Sequence, residues 1–101
     1  MPVVFVSQEP SGFADLSDAR RFGRLEYLLP AGKAMLSPAP MVNKLKQDLR
    51  EFSDDDYVLA MGAPSAIAAV TYVAAKNNGG RIKLLMWDKV SKSYITVQLE
   101  M

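Results

Sequence analysis

Hydrophobic positions along this chain change period several times, and each change marks an element. Tyr57-Val58-Leu59-Ala60-Met61 is an apolar run of strand length, and Gly62-Ala63-Pro64-Ser65 is turn chemistry. Ala66 to Lys76 is rich in helix formers, and Arg81 to Trp87 is apolar and β-prone again. That succession is a strand-helix-strand unit around which the rest of the chain is organised. Upstream, Val3 to Val6 is an unbroken β-branched and aromatic run, the pattern of a strand covered on both faces. Leu25 to Leu29 resumes a strand pattern, closed by Pro30-Ala31-Gly32, and Ala34 to Leu36 adds a brief extended piece. Between these strands Gln8 to Gly12 is loop-forming. Phe13, Leu16, Ala19 and Phe22 then recur at threefold spacing ahead of Gly23, which predicts a lid-like helical connector of about two turns.

The two longer helical segments differ in kind. Ser37-Pro38 suits a helix start, because serine can cap free amides and proline at the first position gives up an amide that had no partner. Val42, Leu45, Leu49 and Phe52 follow on one face, with Lys44, Lys46, Gln47, Asp48, Arg50 and Glu51 filling the remainder, so one side packs and the other is wet. Ser53-Asp54-Asp55-Asp56 breaks this helix and leads into Tyr57. The second helix, Pro64 to Asn77, carries Ile67, Val70, Tyr72, Val73 and several alanines, which leave almost no polar face. It is expected to be covered all round, by the sheet together with the N-terminal connector or by a second copy of the chain. Asn77-Asn78-Gly79-Gly80 ends it with residues that tolerate positive φ.

In the last part of the chain the period is two. Ile82, Leu84 and Met86 alternate with Arg81, Lys83, Leu85 and Trp87, and Ile95, Val97 and Leu99 alternate with Tyr94, Thr96, Gln98 and Glu100. With Asp88 to Ser93 as the loop, this predicts an antiparallel hairpin with its aliphatic face inward. Two strand-helix-strand connections in series imply a mostly parallel mixed sheet of about five strands in the order β-β-α-β-α-β-β, with two main helices and a C-terminal β-hairpin. The first strand fits on either side, and the helices on one face or two, with two layers favoured by size. Length agrees: 101 residues, half of them hydrophobic, suffice for one core, so residues 1–101 read as a single α/β domain.

Charge and rare residues narrow the function classes. A net charge of +1 commits the chain neither to nucleic acid nor to an anionic membrane. With no cysteine and no histidine it lacks thiolate chemistry and the commonest acid/base group and metal ligand. The longest nearly apolar stretch, Ala66 to Ala75, is about half of what a membrane span needs, and Met1-Pro2-Val3-Val4 does not resemble a secretory signal, so a cytoplasmic setting is expected.

Four candidate sites follow from the pattern. Gly62, Ala63, Pro64 and Ser65 lie at the carboxyl end of a strand and the start of a helix, where open α/β sheets hold ligands. Gly62 would let a phosphate approach, and Ser65 would add a donor. The segment lacks the lysine of a P-loop and the further glycines of a dinucleotide site, and the plainer reading is a strand turning into a helix. Asp54-Asp55-Asp56 offers carboxylates for a hard cation, yet it precedes its strand and its side chains alternate, which favours a solvated loop. Arg81, Lys83, Leu85, Trp87 and Tyr94 share one face of the hairpin, with Lys89 and Lys92 in its loop. That face suits a protein interface or a single-stranded nucleic acid, or is an ordinary edge hairpin guarded by basic residues. Arg20, Arg21, Arg24, Lys44, Lys46 and Arg50 are interleaved with Asp48 and Glu51 and read as solvating charges. Serine, threonine and tyrosine are the remaining nucleophiles; without histidine a hydroxyl would need a lysine or carboxylate base, and no Ser-x-x-Lys occurs near a candidate site, which makes an enzyme the less favoured reading.

The runs Asp55-Asp56-Tyr57-Val58-Leu59-Ala60-Met61-Gly62-Ala63-Pro64, Gly80-Arg81-Ile82-Lys83-Leu84-Leu85-Met86-Trp87-Asp88 and Tyr94-Ile95-Thr96-Val97-Gln98-Leu99 together resemble short uncharacterised proteins encoded by tailed bacteriophages. In that group an acidic-aromatic strand ends in Gly-Asp-Pro, and a Gly-Arg-x-Lys-Leu-Leu-x-Trp-Asp strand follows an alanine-rich helix. Ala63 stands where the pattern has aspartate, which removes a polar group from the turn. The likeness covers the second half and implies a phage origin and the bacterial host cytoplasm. The expectation is a small non-enzymatic accessory protein that needs no cofactor or metal and works by protein-protein contact, with self-association through the second helix or the hairpin. A phosphate or nucleotide ligand and a nucleic-acid partner are the alternatives.

Overall fold

A computed structural model describes residues 2–10, 16–31 and 38–100. The elements are β1 (Val3–Gln8), a 3-10 turn (Ser17–Arg21), β2 (Arg24–Leu29), α1 (Pro38–Asp48), β3 (Tyr57–Leu59), α2 (Pro64–Asn77), β4 (Arg81–Asp88) and β5 (Ser93–Glu100). They form one five-stranded sheet in the order β2-β1-β3-β4-β5. β1 pairs in parallel with β2 and β3, β3 in parallel with β4, and β4 antiparallel with β5 through an unbroken register from Arg81 opposite Glu100 to Asp88 opposite Ser93. The α/β class, the mixed five-stranded sheet, the two main helices and the closing hairpin are therefore as the sequence predicts. The expected pieces at Phe13, Ala34 to Leu36 and Ser37 lie outside the described residues.

Strand order explains how the layers divide. The step from β1 to β2 runs one way along the sheet and those from β2 to β3 and from β3 to β4 run the other, and connections of one hand then fall on opposite faces. Both α-helices share one face, where Leu45, Leu49, Phe52, Ala66, Val70, Val73 and Ala74 pack on Phe5, Leu28, Leu29, Val58 and Ile82. The β1–β2 connector takes the other face, where Leu16 and Ala19 cover Val4, Val6, Leu59, Leu85 and Tyr94. The wet side of α1 is as expected: the Lys44 ammonium donates to the Leu28 carbonyl at 2.9 Å and pairs with Asp48 at 2.6 Å. Asn77 Nδ2 donates to the Leu49 carbonyl at 3.0 Å, tying the end of α2 to the end of α1.

Several expectations need correction. β1 runs two residues beyond Val6, because Gln8 pairs with Leu29. β3 stops at Leu59, because Met61 exchanges its backbone bonds with the Ser7 hydroxyl in place of a strand and Gly62 turns the chain at φ +97°. The described part of the connector is a single 3-10 turn. α2 is not covered all round: the connector lies across the sheet from it, and Tyr72 is 63% exposed. On the hairpin's aliphatic face Ile82 is buried and Leu84 half-buried, but Met86, Ile95 and Leu99 are exposed, since α2 packs over β1, β3 and β4 with the edge strand at its margin.

Candidate functional site

The strand order places its direction switch between β1 and β3, and in open α/β sheets the crevice beyond the carboxyl ends of such a pair is where ligands sit. Here two side chains from the end of β1 enter that crevice. The buried Ser7 hydroxyl accepts from the Met61 amide at 2.9 Å and lies 2.5 Å from the Met61 carbonyl and 3.2 Å from that of Leu59. The buried Gln8 accepts from the Ala63 amide through Oε1 at 2.8 Å and donates to the Pro30 carbonyl through Nε2 at 3.1 Å. Of the four turn residues, Gly62 therefore has Gln8 against it, so close that a Cβ there would meet Oε1 at 2.1 Å, and the Ala63 amide is engaged. Pro64 and Ser65 open α2 and are exposed. The sequence hint for this arrangement was two polar residues, Ser7 and Gln8, ending an otherwise apolar inner strand.

The five hairpin residues are divided by the connector. Leu85 and Tyr94 are buried beneath Leu16 and Ala19. Trp87, opposite Tyr94 in the register, stays 47% exposed with its ring edge-on to the tyrosine at 5.2 Å between centroids. Lys83 lies over the Tyr57 ring at 4.3 Å, and the Arg81 guanidinium pairs with Asp54 at 3.0 Å. Beside Trp87 opens a cleft of about 660 Å³, walled by Leu16, Met61 and Tyr94 with Ser17, Asp18 and Lys92 at its polar margin. Sequence reasoning misses Leu16, Asp18 and Met61 as neighbours of Trp87 because they come from two parts of the chain far from it.

Polar contacts hold this cleft in shape. Asp18 Oδ2 accepts from the Tyr94 amide at 2.8 Å, Arg21 Nη2 donates to the Tyr94 carbonyl at 3.1 Å, and the two side chains pair with each other at 3.1 Å. The Tyr94 amide first and Arg21 second hold the Asp18 carboxyl below its ordinary value. At the hairpin loop Asp88 is likewise lowered, by the Ser91 hydroxyl and then the Val90 amide. The third aspartate with a lowered pKa, Asp54, owes it to Asn78 and then Arg81.

The acidic run does not converge. Asp54 turns to Asn78 and Arg81, Asp55 is exposed, and Asp56 is buried, accepting from the amides of Val3 and Ser53 at 3.0 Å each. Among the described residues no group of three or more acidic side chains is placed to hold a metal ion. A polar groove of about 500 Å³ lies at this end of the sheet, between the start of β1 and the end of α1. No helix among the described residues is long and apolar enough to cross a membrane.

Comparison with known proteins adds the origin. A search of curated proteins gives no match. The profile of the family described as Phage Pam3 gp32-like protein matches residues 2–101, so the chain belongs to that family and is a phage-encoded protein. The likeness read in the second half thus extends over nearly the whole chain.

Proposed function

We propose that this phage protein is a non-enzymatic accessory factor of the host cytoplasm that binds another protein through the cleft beside Trp87. The observation that carries the reading is a half-exposed tryptophan held edge-on against a buried tyrosine, with an apolar floor and a charged margin beside it. Such a group is pre-organised, so little side-chain entropy is lost on binding, and tryptophan surrounded by a rim of polar groups is the usual anchor of an interface. The nucleic-acid alternative draws less support, because Arg81 and Lys83 already face Asp54 and the Tyr57 ring. The phosphate alternative draws less support too, because Gln8 occupies the Ala63 amide.

Trp87 is the single tryptophan of the chain, so its fluorescence reports on this cleft alone. The test is capture of the partner from host extract with the wild type and with Trp87→Ala, followed by titration of the purified partner against Trp87 emission. A shift in emission on binding and an affinity about 30-fold weaker in Trp87→Ala are expected, the loss typical of an aromatic anchor. Emission that responds instead to phosphate, nucleotide or single-stranded DNA at low salt, or a partner held equally by Trp87→Ala, would remove the reading.

A further inference from the structure

The edge strand β5 carries its own instructions for pairing. The Tyr94 amide and carbonyl are bound by Asp18 and Arg21, so in the unbroken β4–β5 ladder they point away from β4. Orientation repeats at every second residue of an antiparallel strand, which turns the amides and carbonyls of Thr96, Gln98 and Glu100 outward as well. Asp18 and Arg21 thus cap the first outward position of the edge, and the next three remain for another strand among the described residues. β5 carries little of the usual protection against such pairing: it has no proline and no lysine, and Glu100 is its one charged residue.

We infer that β5 pairs antiparallel with β5 of a second copy, about a two-fold axis at Gln98, to make one sheet continuous across a dimer. The three available residues are symmetric about Gln98, so Thr96 meets the partner's Glu100 and Gln98 meets the partner's Gln98. On the helix-side face this register sets Val97 against the partner's Leu99 twice over, and it extends the apolar surface of the exposed Met86, Ile95 and Leu99. Charge favours a second copy over an unrelated strand. Each β5 begins beside Arg21, whose guanidinium donates to the Tyr94 carbonyl while pairing with Asp18, and ends at Glu100, so antiparallel pairing brings the acidic end of each strand toward that guanidinium of the other. A register shifted by two residues would instead set the partner's Glu100 against Tyr94, whose amide already faces the Asp18 carboxylate. The strand contact is short and falls in the small-interface class, which makes the dimer concentration-dependent.

Proline at an outward position removes an intermolecular bond and leaves the β4–β5 ladder intact, so Gln98→Pro isolates the edge. Sedimentation velocity from micromolar to millimolar protein is expected to show the wild type moving from monomer to dimer. Gln98→Pro should dimerise about tenfold more weakly or worse, with unchanged circular dichroism. The chain has no cysteine, so Gln98→Cys supplies a clean register probe: paired residues of this type have Cα atoms about 5.5 Å apart, within disulfide reach. It should cross-link under mild oxidation faster than Val97→Cys, which marks the axis of the shifted register. A wild type that stays monomeric, a dimer untouched by Gln98→Pro, or faster cross-linking at Val97 would overturn the inference. Trp87→Ala lies outside the edge and should dimerise normally, which separates this outcome from that of the Trp87 cleft.

Discussion

The two faces of the sheet are closed by different physics. One is covered by two regular helices of 11 and 14 residues, whose side chains bury a broad aliphatic and aromatic surface. The other is covered over β1, β3 and β4 by Leu16, Ala19 and a five-residue 3-10 turn, anchored at the sheet edge by the Asp18–Arg21 contacts to Tyr94. Apolar burial neither titrates nor is screened by salt, whereas the partly exposed Asp18–Arg21 pair is screened by salt and loses its charge attraction when the carboxylate is protonated. Stability is therefore concentrated on the helix face, while Trp87 and the open part of the β5 edge gather around the thinner cover.

Substitutions on the two faces test this difference. Leu49→Ala, at a fully buried site between helix and sheet, should cost about 4 kcal/mol in denaturant unfolding. Gly62→Ala should cost about 3 kcal/mol, because its positive φ and the Gln8 side chain against it forbid a Cβ without loss of the Gln8 bonds. Leu16→Ala, under the thin cover, should cost about 2 kcal/mol, the low end for such a truncation, because the neighbouring cleft lets the site relax. Equal losses for Leu49→Ala and Leu16→Ala would erase the distinction between the faces.

The smallest effect is the most specific. Asp18 binds its proton less readily in the folded chain than in the unfolded one, where the value is near 3.8. Its contribution is therefore complete above that value and is lost as pH falls through the lower folded value. Asp18→Asn should lower the melting temperature slightly at neutral pH, and the difference from wild type should close as the pH falls below the lowered folded value. A difference that persists there would mean that the Tyr94 contact does not depend on the carboxylate's charge.

Much of this molecule was legible in the chain. The apolar run at Val3 to Val6 announced a strand covered on both faces, Val42 and Leu45 the packed side of α1, Pro64 to Asn77 the full span of α2, and the alternation after Gly80 the hairpin. These features are local, since periodicity and turn chemistry act within a few residues. Where the elements overran or fell short of their patterns, as at Gln8 and Met61, a contact between distant residues had decided the boundary.

The candidate site was legible only in part. Trp87 and Tyr94 stand out by residue type, but nothing local shows that one is exposed and the other buried, because that depends on where the connector crosses the sheet. The same holds for Met86, Ile95 and Leu99, whose pattern points inward while α2 is too narrow to reach them. By itself the sequence determined the elements, their order and the single α/β core, because short-range periodicity and hydrophobic content suffice for those. Only the tertiary structure decided the insertion of β1 between β2 and β3, the closure of the switch-point crevice by Ser7 and Gln8, and the half-capped edge of β5. Each of these joins residues more than twenty positions apart in the chain, and no local pattern encodes such a meeting.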